Sequence, residues 1–143
     1  FNVVDAIEKE FGENEEHIIV THDSVRPFVT LRIIEENIEA AREYGACDTV
    51  VGAVDTIVVS EDGKAISNIP DRRMMFQGQT PQSLKTSMIK KLYYDLTETE
   101  KEILTDACKI CCVRNVPVKL VRGEVSNMKI TTIDDMKMAK AMI

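Results

Sequence analysis

Blocks of apolar residues along the chain predict alternating strands and helices. Runs of apolar, mostly β-branched residues predict strands at 18–20, 49–54 and 117–121, the first two buried on both faces. Apolar positions three and four residues apart predict helices at 1–11, 31–44, 83–96, 97–113 and from 132 onward. Ser83, Thr97 and Thr132 are the expected N-caps of the last three helices. This order of elements predicts an α/β domain with a mostly parallel sheet.

One segment breaks the alternation. Short extended runs at 57–60 and 65–69 flank the turn signal Asp62-Gly63, and this pattern predicts a β-hairpin. A hairpin is too short for a parallel crossover, so it is expected to project from the sheet or to cover it. Its apolar side favours packing against a second copy in a two-fold dimer, and folding back onto its own domain is the alternative.

The composition is that of one ordinary domain. The chain has 143 residues, 44% of them hydrophobic, which is enough for a core of its own. Its formal net charge of -6 argues against general binding of nucleic acid or membrane surfaces, and no apolar run reaches the length of a membrane span. The cysteines at 108, 111 and 112 are too crowded for a disulfide framework, which favours a reducing cytoplasm. A zinc site there lacks a second ligand pair, so we expect these cysteines on a buried helix face.

The first residues of the chain already have the spacing of apolar positions that is typical of an amphipathic helix. Val4, Ile7 and Phe11 share one face, and neither an initiator Met nor a convincing N-cap precedes them. This pattern is typical of a chain that begins partway through a helix, so the sequence is expected to be a fragment of a longer protein.

Candidate chemistry collects where the predicted strands end. Asp23 and Arg26 follow the first strand, and three further polar clusters lie at 55–56, 72–82 and 127–131. Ligands of open α/β sheets bind beyond the carboxyl ends of the strands. These clusters are therefore the candidate binding site.

Common catalytic patterns are not found in the sequence. It contains no P-loop and no Gly-x-Gly-x-x-Gly motif. His22, next to Asp23, is expected to form local hydrogen bonds rather than part of a Ser–His–Asp triad. Arginine and lysine without a nucleophile–base pair favour a site that binds and neutralises phosphate groups.

Four short motifs, taken in order, resemble one family of enzymes. They are HDSVRP at 22–27, DT at 55–56, Arg72 eight residues ahead of TPQ at 80–82, and NMKIT at 127–131. This series is similar to that of the sugar- and polyol-phosphate cytidylyltransferases, whose members act on 2-C-methyl-D-erythritol 4-phosphate or on ribitol 5-phosphate. The segments QGQTPQS at 77–83 and LTDACKI at 104–110 resemble the ribitol-phosphate branch more closely.

The resemblance implies a Rossmann-like nucleotidyltransferase fold. Residues 1–143 would form one partial, N-terminally truncated domain, with a dimerisation arm at about 57–80. Members of the family begin with a strand and a glycine-rich loop whose Arg and Lys residues hold the CTP phosphates, and that loop is not among these residues. The chain by itself is therefore expected to bind CTP weakly and to be inactive.

The implied reaction transfers CMP from CTP to a polyol phosphate, with ribitol 5-phosphate favoured, and releases pyrophosphate. The implied catalytic residues are Lys129 and Arg72, the second donated by the arm of the other subunit. The implied substrate-binding residues are Asp23, Ser24, Arg26, Thr56 and Thr80.

The resemblance further implies a cytoplasmic homodimer that uses Mg²⁺. Asp23 is expected near the nucleotide ribose or the Mg²⁺ ion. Two alternatives remain open at this point. One is the same chemistry on 2-C-methyl-D-erythritol 4-phosphate in isoprenoid synthesis, and the other is a non-catalytic dimerisation or binding module.

Overall fold

The structure, a computed structural model, describes residues 2–104 and 106–143. The helices are α1 (Asn2–Phe11), α2 (Leu31–Tyr44), α3 (Thr86–Tyr94), α4 (Glu98–Glu102), α5 (Lys109–Val113) and α6 (Ile133–Ala141). The strands are β1 (Ile18–Thr21), β2 (Ala46–Gly52), β3 (Phe76–Lys85) and β4 (Lys119–Arg122). Phe1 and Thr105, which fall in the predicted helices 1–11 and 97–113, lie outside the described residues. None of the described helices is long and apolar enough to cross a membrane.

The four strands form one mixed sheet in the order β1-β3-β2-β4. Strand β3 is antiparallel to both of its neighbours, and β2 pairs with β4 in parallel. Strands β1, β2 and β4 consequently share one direction, and their carboxyl ends lie at the same edge of the sheet. The α/β class is confirmed, but the sheet is mixed rather than mostly parallel, because β3 inserts between β1 and β2.

Strand β3 occupies residues that the sequence pattern assigns to a polar loop and a helix. The prediction of Ser83 as a helix N-cap is wrong, since Ser83 lies within β3 and the helix begins at Thr86. Glycine and proline, both present in this strand, are poor strand formers, and the strand has only one β-branched residue, Thr80. Pairing on both edges outweighs this weak propensity, and Ser83 and Leu84 are both 0% exposed.

The core is divided between the two faces of the sheet. Ala46 and Leu84 pack with residues of α1, α3 and α5 on one face, and Cys47 packs with α2 and β4 on the other.

The predicted helix 97–113 is two short helices, α4 and α5, and the predicted capping box at Thr97 is present. Cys108 and Cys111 are buried, as predicted for this helix face, whereas Cys112 is exposed.

A buried polar network fixes β3 against α2. Asn37 of α2 is 0% exposed, and its Nδ2 donates to Thr49 Oγ1 at 2.8 Å. Thr49 Oγ1 in turn donates to the carbonyl oxygen of Pro81 at 2.6 Å. Because buried hydrogen bonds are costly to break, this network holds the position of Pro81 and of the neighbouring Thr80.

The predicted hairpin is present as a single antiparallel bridge. Val59 pairs with Asn68, and the Asp62 carboxylate accepts backbone N–H bonds from Lys64 at 2.8 Å and Ala65 at 3.0 Å. The apolar side chains of this segment remain exposed, including Ile66 at 61%. The hairpin therefore leaves its apolar side uncovered in the single chain.

Candidate active site

Two loops meet at the carboxyl end of β1. The first loop, residues 22–27, follows β1 directly, and the second, residues 123–131, follows β4 and is called the lysine loop below. Arg26 Nη1 donates to the carbonyl oxygen of Asn127 at 2.8 Å. The backbone N–H of Ile130 donates to the carbonyl oxygen of Val25, also at 2.8 Å. The predicted grouping of the motifs at 22–27 and 127–131 is thus present in the structure.

Asp23 is the centre of the charged cluster between these loops. Its Oδ2 lies 3.2 Å from Arg26 Nε and 3.2 Å from Lys129 Nζ. The Arg26 side chain is only 11% exposed, whereas the Lys129 side chain is 47% exposed. Arg26 is therefore committed to holding the two loops together, and the Lys129 ammonium is the cation of this cluster that an incoming anion can reach.

The two cations set the ionisation of Asp23. Burial by itself raises the pKa of the Asp23 carboxyl, but the hydrogen bonds and charges of Lys129 and Arg26 outweigh it and hold the pKa below its ordinary value of 3.8. Because the pKa of Asp23 is lower in the native state than in the unfolded chain, this interaction stabilises the fold at pH values above the unfolded pKa. The stabilisation is lost as the pH falls through the native pKa.

Removing the Lys129 ammonium is therefore expected to raise the pKa of Asp23. In a Lys129→Ala variant, one hydrogen bond and one positive charge are lost while the burial of the carboxyl remains. A carbon-13 NMR titration of the Asp23 carboxyl measures the change. Lys137→Ala, which removes a cation paired with Asp134 on α6, is the control and should leave the Asp23 pKa unchanged. An Asp23 pKa that is the same in wild type and Lys129→Ala would show that the ion pair does not form in solution.

Thr80 and His22 complete the first loop. The Thr80 hydroxyl accepts the backbone N–H of Asp23 at 3.0 Å and lies 2.9 Å from His22 Nδ1. His22 Nε2 lies 2.9 Å from the carbonyl oxygen of Arg26, so Nε2 carries the proton and Nδ1 accepts from Thr80. His22 thus forms local hydrogen bonds, as predicted. Thr80 is brought to the cluster because β3 runs beside β1.

Two further buried residues support the lysine loop and were not among the predicted site residues. Asn127 is 0% exposed and its Nδ2 donates to the carbonyl oxygen of Thr80 at 2.8 Å. Gln79 is 7% exposed and its Nε2 donates to the carbonyl oxygen of Glu124 at 2.9 Å. The NMKIT motif pointed to Asn127, whereas only the unpredicted strand β3 brings Gln79 to the loop.

The remaining predicted site residues lie apart from these contacts. Ser24 is exposed in the turn between Asp23 and Arg26. Thr56 is exposed after β2, and Arg72 is exposed in a 3-10 turn before β3. Arg72 Nη1 donates to the carbonyl oxygen of Val54 at 2.7 Å. Within one chain, Thr56 and Arg72 therefore belong to the hairpin region rather than to the Asp23–Lys129 cluster.

The charged cluster offers Mg²⁺ one carboxylate ligand, that of Asp23. Among residues 2–104 and 106–143, no group of three or more His, Cys, Asp or Glu side chains is arranged to hold a metal ion. Asp23 is one carboxylate that already has two cationic neighbours. Because Mg²⁺ is commonly bound by one or two carboxylates together with substrate phosphates, Asp23 fits as a single protein ligand of a phosphate-bound ion.

A separate open cleft of about 950 Å³ lies beside β4. Arg32, Phe76, Leu120 and Arg122 line it, together with other residues of α2, β2 and β4 and with residues 123–125 of the lysine loop. Asp23, Arg26 and Lys129 are not among the described residues that line it. Glu36 and Glu124 also line this cleft and pair with Arg32, so it presents both signs of charge to a ligand.

A family model for 2-C-methyl-D-erythritol 4-phosphate cytidylyltransferase matches residues 2–143. The chain is similar to the enzyme of that name from Thermus thermophilus, with 27% identity and a TM-score of 0.79 over 99% of this chain and 65% of that one. It is also similar to 4-diphosphocytidyl-2C-methyl-D-erythritol synthase from Anaerococcus prevotii, with 26% identity and a TM-score of 0.77 over 99% of this chain and 73% of that one.

The same fold occurs in the 2-C-methyl-D-erythritol 4-phosphate cytidylyltransferase of Francisella tularensis. That chain is 21% identical, with a TM-score of 0.83 over 99% of this chain and 66% of that one. The likeness confirms the predicted nucleotidyltransferase fold. The chain spans about two thirds of the length of the solved structures from Thermus and Francisella.

Proposed function

Since the chain belongs to the family of 2-C-methyl-D-erythritol 4-phosphate cytidylyltransferases, we propose that the protein transfers CMP from CTP to 2-C-methyl-D-erythritol 4-phosphate. A phosphate oxygen of the acceptor forms a bond to the α-phosphorus of CTP. The bond from the α-phosphorus to the bridging oxygen breaks, and pyrophosphate leaves with that electron pair. The observation that carries the proposal is the half-exposed Lys129 ammonium beside Asp23, in a chain that the family model matches over its described length.

Lys129 is the residue that binds the acceptor phosphate. Two anions repel each other when the acceptor phosphate approaches the triphosphate, and an ammonium between them lowers that repulsion. Asp23 holds Lys129 Nζ at 3.2 Å, and Arg26 holds Asp23. The ammonium is therefore oriented before substrate arrives, so less conformational freedom is lost when the phosphate binds.

Arg72 and Thr56 reach this site from a second copy of the chain. The apolar side chains of the hairpin are exposed in one chain, among them Val58, Val59, Ile66 and Ile69. Covering them in a two-fold dimer removes apolar surface from water, which is favourable. Arg72, which follows the hairpin, then binds the acceptor phosphate together with Lys129 of the other subunit.

Mg²⁺ accompanies the nucleotide in this proposal. When bound, it neutralises charge on the CTP phosphates and makes pyrophosphate a better leaving group. Asp23 is its candidate protein ligand. Ser24, exposed next to Asp23, is a candidate contact to the nucleotide.

The acceptor distinguishes two members of the wider family, and a steady-state assay of the full-length protein decides between them. With CTP and Mg²⁺, kcat/KM for pyrophosphate release is expected to be about tenfold or more higher with 2-C-methyl-D-erythritol 4-phosphate than with ribitol 5-phosphate, because a pocket shaped for one carbon skeleton discriminates by that order. A reaction without acceptor is the control. A preference for ribitol 5-phosphate would support the assignment that the segments 77–83 and 104–110 favour. No release with either acceptor would favour a non-catalytic binding module.

A further inference from the structure

Gln79 connects β3 to two points of the lysine loop. Its Nε2 donates to the carbonyl oxygen of Glu124 at 2.9 Å, near the start of the loop. Its Oε1 accepts a hydrogen bond of 3.4 Å from Asn127 Nδ2, two residues before Lys129. The side chain is 7% exposed, so water does not readily replace these bonds.

The lysine loop depends on such bonds because it has no regular secondary structure of its own. Its other buried anchor is Asn127, which binds the carbonyl oxygen of Thr80 and, through its own carbonyl oxygen, Arg26 Nη1. The anchor formed by the Glu124 carboxylate and Arg32 at 2.8 Å is partly solvent-exposed, with side chains 33% and 40% exposed. Backbone bonds hold the two ends of the loop, from Gly123 to Val50 and from Ile130 to Val25, each at 2.8 Å. Exposed ion pairs contribute little, so Gln79 and Asn127 are the side chains that fix the path of the loop between these ends.

Gly123 shows how closely the Gln79 amide packs against the loop. A Cβ atom at position 123 would lie 2.4 Å from Gln79 Oε1 and 3.0 Å from Thr49 Cγ2. A side chain at position 123 must therefore push the Gln79 amide away from its present place. Glycine is required here by the close approach rather than by backbone conformation.

We propose that Gln79 is a positioning residue for Lys129. By binding Glu124 and Asn127 together, Gln79 fixes the lysine loop so that the Lys129 ammonium meets the acceptor phosphate beside Asp23. The role in acceptor binding rests on the proposed cytidylyltransferase function, whereas the ordering of the loop does not. Gln79 does not itself touch the reacting atoms.

A Gln79→Met variant of the full-length protein tests this proposal. Methionine has nearly the same length as glutamine but neither donates nor accepts a normal hydrogen bond. We expect KM for the acceptor phosphate to rise about tenfold while KM for CTP stays within twofold of wild type. We also expect faster amide hydrogen exchange at 124–131 only. Gln77→Met is the matched control, because Gln77 is an exposed glutamine on the same strand.

A second pair of variants keeps the test decisive if Gln79→Met folds poorly. Gly123→Ala displaces the Gln79 amide without removing it, so it should reproduce the rise in acceptor KM and in loop exchange. In a Gln79→Ala background the added methyl group no longer meets the amide and keeps only the contact of 3.0 Å with Thr49 Cγ2, so Gly123→Ala should then add less than twofold. Full additivity of the two changes would overturn the proposal.

The remaining outcomes separate this proposal from the proposed function. Wild-type exchange at 124–131 in Gln79→Met would overturn the proposal whatever the activity. A uniform rise of exchange over the whole chain, with unchanged KM for both substrates, would also overturn it, because that result is general destabilisation. A wild-type protein without cytidylyltransferase activity would refute the proposed function, and the exchange measurement would still decide whether Gln79 orders the loop.

Discussion

Replacing Lys129 by alanine is expected to lower kcat/KM for cytidylyl transfer about a hundredfold, a loss typical of removing one donor from a site where charge develops. Lys129 Nζ lies 3.2 Å from Asp23 Oδ2 and is half exposed, so a bound phosphate can share the ammonium with Asp23. Once Lys129 is absent, Asp23 faces the incoming phosphate with one neutralising charge fewer. The loss should appear in both kcat and the KM for the acceptor.

Two other lysines are matched controls for this variant. Lys119 on β4 lies over the ring of Tyr44, with 4.7 Å between Nζ and the ring centroid. Lys137 on α6 pairs with Asp134, and both side chains are more than 70% exposed. Lys119→Ala and Lys137→Ala should retain kcat/KM within about twofold, because exposed charges far from the reaction contribute little. Comparable losses in all three variants would reduce Lys129 to an ordinary surface charge.

Replacing Arg72 by alanine is expected to lower kcat/KM by a similar factor of about a hundred, because we propose that Arg72 of one subunit binds the acceptor phosphate in the site of the other. Arg73→Ala is the control. Arg73 is adjacent in sequence and 89% exposed, and it pairs with Asp71 at 2.6 Å. Near wild-type activity of Arg73→Ala would exclude a general effect of lost charge in the 3-10 turn.

Mixing the two inactive variants tests whether the site is shared between subunits. After subunit exchange between Arg72→Ala and Lys129→Ala proteins, half of the dimers are hybrids, and each hybrid has one intact site and one doubly altered site. Random pairing then restores about a quarter of the wild-type activity. No recovery, after an independent label has verified exchange, would mean that each site is built within one chain.

The strands with strong apolar runs could be predicted from the sequence, and β3 could not. Residues 18–20 and 49–54 are rich in β-branched residues, which are enriched in strands. Strand β3 contains glutamine, glycine and proline and forms because β1 and β2 pair with it on both sides. Such pairing depends on residues far apart in sequence, so local propensity missed it. The predicted mostly parallel sheet was wrong for the same reason.

The charged cluster could be predicted in part, because its residues lie at the ends of predicted strands. Asp23 and Lys129 were both candidates, and their carboxylate and ammonium groups meet in the structure. The supporting bonds of Gln79 and Asn127 could not be predicted, since they depend on the position of β3. The contact of Thr56 with the acceptor stays a prediction, and so does the role of Arg72, which depends on a second copy of the chain.

The position of the bound acceptor phosphate shows whether Lys129 binds it. A crystal structure of the full-length protein with 2-C-methyl-D-erythritol 4-phosphate and a non-hydrolysable CTP analogue measures it. We expect a phosphate oxygen at about 2.8 Å from Lys129 Nζ, within the range of charge-assisted hydrogen bonds, with Arg72 of the second subunit on the same phosphate. A phosphate bound instead in the cleft beside β4, against Arg32 and Arg122 and away from Lys129, would contradict it.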